Sequence, residues 1–248
     1  MTQGEQTIAG VALPRERAGR VRRTHEVTGW AWAGSQRQIQ AYTNTSPLVE
    51  VLDREVKVAL PVLAGTALEW RSPLARERYE EPTGDRFWAA IDQPRLRAAA
   101  AGWWPRRGPS WDAIALARDG LGPAAVVLVE AKANVAEFTA GPLAAKAEAS
   151  VTMIHAALDG ARAALGASKP LDAWTGGHFQ LANRIAWTRW LREAGIAAVF
   201  AYVLFHDDRS HIPTPRSELL AQARAGFDAL GLPDAAEWYG IVTVPASL

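Results

Sequence analysis

The chain has 248 residues, with 27 Lys and Arg against 26 Asp and Glu, for a formal net charge of +1. It contains no cysteine, which excludes disulfides and thiolate zinc sites and fits a reducing compartment. So balanced a charge excludes a uniformly basic nucleic-acid binder, leaving only local patches for such a partner.

No apolar run approaches the length of a membrane span. MTQGEQTIAG lacks a charged segment followed by an apolar one, so no secretory signal is read there. The expectation is one cytoplasmic domain over residues 1–248, with no membrane partner.

Residues 1–24 are polar and Arg-rich without periodicity, and read as an irregular arm. Arg15, Arg17, Arg20, Arg22 and Arg23 form a first basic cluster there. Gly29–Ala33 reads as a turn or short strand. Gln36–Ala59 reads as two helices, the second starting at Pro47, where a proline suits the first helical position. Glu50 lies near that start. Ala67–Trp70 is a short extended segment, and Ser72-Pro73 opens a helical patch through Tyr79. Glu80, Glu81 and Asp85 follow as an acidic group. Glu81 is a candidate to complete a metal site, a solvated acidic turn being the alternative. Pro94–Ala101 reads as a helical turn or two, and Gly102–Pro105 as a strand leading to the next element. Arg95, Arg97, Arg106 and Arg107 make a second basic cluster, suited to phosphate.

Trp111–Arg118 and Ala124–Ala133 are rich in Val, Ile, Leu and Ala. The breakers Asp119-Gly120 and Gly122-Pro123 lie between them, which predicts a β-hairpin. If Arg118 pairs with Ala124 across the loop, Asp112 stands directly opposite Glu130. Lys132 then shares their face. Like charges directly opposite repel, and charges ending a strand that is apolar on both faces are costly unless paired or bound to metal. A metal site is therefore predicted at Asp112 and Glu130, the alternative being a satisfied Lys–carboxylate bridge.

Downstream, Asn134–Pro142 is a loop in which Glu137 and Thr139 are placed to approach a substrate. Leu143–Leu165 reads as a long Ala-rich helix burying Ala147, Val151, Ile154, Leu158, Ala161 and Leu165. His178–Ala194 is a helix ended by Gly195, with Gln180, Asn183, Arg184 and Trp187 on one side. Ile196–His206 is an apolar strand. Reached through a helix, it is expected parallel to the strand bearing Glu130. His206, Asp207 and Asp208 run out into a charged loop. Pro213–Leu230 carries a short helix, and Trp238–Pro245 a final edge strand. The histidines are scattered, without an H-x-x-x-H pair or a Ser/His/Asp pattern.

Asp112 followed by Glu130-Ala131-Lys132 resembles the PD-(D/E)xK signature of restriction-endonuclease-like phosphodiesterases, with Trp111 where the motif has Pro. The resemblance also extends to uncharacterised bacterial proteins grouped with that fold, through W-D-A, V-E-A-K-A and F-Q-L-A-N-R. It covers about a tenth of the chain. It implies an α/β fold: a restriction-endonuclease-like mixed β-sheet with a central hairpin, flanked by helices. It also implies that Asp112, Glu130 and the Ala131 carbonyl hold Mg²⁺ or Mn²⁺, and that Lys132 positions the attacking water and offsets phosphate charge. Glu50, on a helix before the sheet, would be a candidate for one more carboxylate, a solvent-facing Glu being the alternative. Gln180 and Arg184 would lie near metal or phosphate, and the partner would be nucleic acid, DNA ahead of RNA. The expected activity is metal-dependent hydrolysis of phosphodiester bonds. The alternative is a non-catalytic binding module on the same fold, which need not hold metal.

Overall fold

A computed structural model describes residues 24–105, 108–120, 122–139 and 141–247. Residues 1–23 of the expected arm, with all five arginines of its basic cluster, and Arg106 and Arg107 of the second cluster lie outside the described residues.

The chain forms a mixed α/β structure around one five-stranded sheet. Its strands are β1 (Ala67–Ser72), β2 (Ala113–Asp119), β3 (Gly122–Lys132), β4 (Ala198–His206) and β5 (Tyr239–Pro245), side by side in chain order. β2 runs antiparallel to β1 and to β3, whereas β3, β4 and β5 run parallel. The change follows from the connections. The tight β2–β3 loop requires antiparallel neighbours, while the long helical crossovers before β4 and β5 permit parallel ones; β1 pairs antiparallel with β2 although residues 73–112 separate them in the chain. β3 and β4 are apolar on both faces because helices cover both.

One face carries α1 (Gly34–Tyr42) and α2 (Leu48–Ala59). Ile39, Tyr42, Leu52 and Val56 pack there on Val127, Val129, Val199 and Val203. The other face carries α3 (Asp85–Ala90), α4 (Arg97–Trp103), α5 (Glu148–Ala164), α6 (Leu171–Thr175), α7 (Phe179–Glu193) and α8 (Arg216–Leu230). Leu158, Ile185, Leu191 and Phe227 meet Leu128, Phe200 and Leu204 in its core. Each fully buried Leu or Phe contributes about 1.5–3 kcal/mol, so the two cores dominate the stability. No helix among the described residues is long and apolar enough to cross a membrane.

Several sequence expectations need correction. Gly102–Pro105 is not a strand: Trp103 ends α4, which a 3₁₀ turn at Pro94–Leu96 and a run of alanines initiate. Residues 143–147 are not helical, because Leu143 N–H bonds to the Thr175 carbonyl (3.0 Å) and docks this segment on α6. Ala147 is consequently exposed, and α5 buries Ile154, Ala157, Leu158 and Ala161. After Pro73 the expected helical patch is reduced to a 3₁₀ element at Ala75–Glu77. α8 is not short, at 15 residues. Asp208 does not run into solvent. It is buried, and its Oδ1 accepts hydrogen bonds from Gln38 Nε2 (2.9 Å) and Ser210 N–H (2.9 Å).

Candidate active site

The site is built from the end of β3 outward. Ala113 pairs with Val129 and Ala117 with Ala125, so the hairpin holds the expected register through this stretch. Toward the loop a bulge shifts it: Arg118 faces Pro123 rather than Ala124. Asp112 lies one residue before β2, and its N–H continues the ladder to the Val129 carbonyl (3.0 Å). It therefore stands across from Glu130. Its Oδ2 accepts the Ala131 N–H at 2.7 Å. Ala131 itself is buried, and it is this N–H that touches Asp112.

Glu130 is 2 % exposed, and Lys132 and Arg184 are each 5 % exposed. Lys132 Nζ donates to Glu130 Oε1 (2.6 Å) and to Gln180 Oε1 (2.8 Å). Arg184 Nε donates to Glu130 Oε2 (2.8 Å). Gln180 and Arg184 are four residues apart on α7, so one helix face delivers both to the strand. Asn183 Oδ1 accepts from Arg184 Nη1 (3.1 Å) and braces it. Trp187, read on the same side, instead joins an aromatic cluster with Phe87, Trp88, Trp103, Trp104 and Trp190.

Arg184 also links a third carboxylate to the site. Its Nη2 donates to the Ser110 carbonyl (2.6 Å), and Ser110 Oγ donates to Glu81 Oε2 (2.6 Å). Its guanidinium lies 4.9 Å from the Trp111 ring centre, a cation–π contact over a fully buried indole. Asp112, Glu81 and Gln180 keep some exposure, so the site opens on their side.

The electrostatics separate the three acids. Burial pushes Asp112 well above the usual carboxylate range, and the negative charges of Glu130 and Glu81 add to this, against Lys132 and the Ala131 N–H. Burial also raises Glu81, with Glu130 adding to it and the Ser110 hydrogen bond opposing. For Glu130 burial is the largest single influence and acts upward, but Arg184 and Lys132 together outweigh it and hold the carboxyl below its ordinary value. Three carboxylates thus share two cations.

Other candidates lie elsewhere. Glu50 is exposed beside Ser46 and does not join the site. Glu137 turns back on the backbone: its Oε2 accepts from Ala133 N–H (2.7 Å) and its Oε1 from Asn134 Nδ2 (3.0 Å) and Ser35 N–H (3.3 Å). Thr139 is exposed and bonds to the Ala136 carbonyl. Sequence reasoning missed Ser110 and Tyr202. Tyr202 pairs with Glu130 across β3 and β4, and burial, then the Glu130 charge, push its hydroxyl well above the usual phenol range. Its place depends on the register of a parallel pair, for which a distant strand offers no local signal.

The donors suit a hard divalent cation: Asp112, Glu81 and Glu130 are carboxylates, and no thiolate is present. Mg²⁺ typically takes only one or two carboxylates from the protein. The described residues form no ready-made cluster of three or more acidic or histidine ligands. Among the described residues, Asp112 uses Oδ2 alone in its hydrogen bonds, which leaves its second oxygen for a ligand. No family model, curated protein or solved structure matches the chain.

Proposed function

We propose that the chain is a Mg²⁺- or Mn²⁺-dependent phosphodiesterase acting on nucleic acid, on a restriction-endonuclease-like fold of the PD-(D/E)xK type. The observation that carries this is the convergence of Asp112, Glu130 and Glu81 around only two cations, at the end of a buried strand. A divalent ion there would offset the Glu130 charge that helps to raise both Asp112 and Glu81. Asp112 and Glu81, on the open side, would hold the ion with Glu130 behind them. The Ala131 carbonyl is a further candidate ligand.

The chemistry a divalent cation supplies when bound is charge stabilisation at phosphate and acidification of water. The chain's own groups do the rest. Lys132, held between Glu130 and Gln180, presents an ammonium that donates to the attacking water or a phosphate oxygen. Gln180 orients that ammonium. Arg184 fixes the Ser110 backbone and keeps Glu130 ionised. DNA is the first substrate to test and RNA the second.

One observation favours a second reading. Both oxygens of Glu130 already have cationic partners, so the cluster satisfies its buried carboxylate without metal. A nuclease-fold binding module would look the same there. Calorimetric titration of Mn²⁺ into the wild type, Asp112→Asn and Lys132→Ala, followed by DNA and RNA cleavage assays, separates the two. The phosphodiesterase reading expects binding in the wild type, none in Asp112→Asn, and binding without comparable cleavage in Lys132→Ala. Absence of binding by the wild type would leave the ion cluster structural. Wild-type cleavage by Lys132→Ala would remove that residue's assigned role.

A further inference from the structure

Beside the site lies a cavity of about 530 Å³, lined by Phe87, Trp88, Trp104 and Trp187, with Arg95 and Arg97 also in its wall. This volume falls in the range of small-molecule sites, about 300–1,000 Å³. The aromatic wall is braced from behind, where Trp103 stacks on Trp190 with ring centres 5.2 Å apart. The Trp187 Nε1–H is buried without a partner among the described residues, although buried indole N–H groups usually find one. Arg97 pairs with Asp85 (2.8 Å), whereas the described ion pairs give Arg95 no carboxylate.

The cavity shares a wall with the acidic site. Gly108 and Pro109 line it, and the next residue is Ser110, whose carbonyl Arg184 holds. Gly108 has φ +58°, and a Cβ there would stand 3.1 Å from Trp187 Cζ2, so the backbone rests directly on the indole. Trp187 itself is one turn along α7 from Arg184.

Resting on the phosphodiesterase reading, we infer that this cavity receives an unpaired nucleobase next to the scissile phosphate, making single-stranded nucleic acid the substrate. The base would meet the small accessible part of these largely buried aromatic side chains, and Arg95 would attract the backbone phosphate beside it. A base within a duplex cannot reach a cavity of this kind without leaving its stack.

The test blocks the cavity without touching the acidic site. Ala98 and Ala101 are exposed and line it, so Ala98→Phe and Ala101→Phe are made separately, with circular dichroism and melting to verify folding. Binding of a thymidine oligonucleotide is read by tryptophan fluorescence in EDTA, where no metal-dependent cleavage interferes. Cleavage of the same oligonucleotide and of bis(p-nitrophenyl) phosphate, which has no base, is then read in Mn²⁺. The expected result is quenching in the wild type, a loss of oligonucleotide affinity of at least about fivefold in a folded variant, and an unchanged rate on the small diester. No quenching in the wild type, or unchanged oligonucleotide affinity in both folded variants, would overturn the base site. A base site blocked by these variants in a protein that cleaves neither diester would instead sink the phosphodiesterase reading alone.

Discussion

Asp112 and Glu130 face each other on one hairpin, yet their protonation is driven in opposite directions. Glu130 has Lys132 and Arg184 on its two oxygens, while Asp112 has the Ala131 N–H and two acidic neighbours. The lowered Glu130 contributes stability that is present above the ordinary carboxylate range and lost as pH falls through its folded value. Asp112 acts with the opposite sign. Its raised value favours folding below the unfolded range, and that contribution is lost as pH rises through the folded value. Asp112→Asn keeps an acceptor for Ala131 and removes the buried charge. Near neutral pH it should therefore melt about 2–4 °C above the wild type for each kcal/mol of relief, while losing Mn²⁺ affinity. Melts from acid to neutral pH check this: the gap between the two proteins should widen as pH rises, and a constant gap would contradict the assignment.

Helix and strand signals were legible where they were local. The Asp112–Glu130 register could be read because alternation and a two-sided apolar strand constrain it, even though a bulge moves Arg118 off its expected partner. Spacing on α7 likewise gave Gln180 and Arg184 together. Where tertiary contacts overrode local preference, reading failed: residues 143–147 gave up a helix to dock on α6, and the aromatic run at Trp103 and Trp104 closed a short helix instead of extending. Glu137 shows a longer-range link. It caps α1 through Ser35 N–H and holds β3 through Ala133 N–H, and Gly34 has no Cβ to collide with it, since one would stand 2.8 Å from Oε1. Glu137→Ala should cost about 1–3 kcal/mol by stranding buried donors, and Glu137→Gln less. Denaturant midpoints measure both. Equal losses would mean that acceptor capacity is not what matters there.

At the scale of the molecule, the sheet joins an antiparallel half to a parallel half at β3. The parallel relation of β4 to β3 was readable from the intervening helix, but the packing of residues 85–104 beside α7 was not, since no local pattern names a distant partner. The hairpin has a practical consequence. Asp119 and Gly120 are exposed at the end of β3 opposite Lys132, about 30 Å away at the rise of a strand. Loop tips of this kind accept insertions with little loss. A peptide tag inserted after Gly120 should leave the melting temperature and Mn²⁺ affinity near those of the wild type, and a large change in either would show the two ends of β3 to be coupled. The hairpin tip would then serve as a tether, fixing the molecule to a support by the end remote from its chemistry.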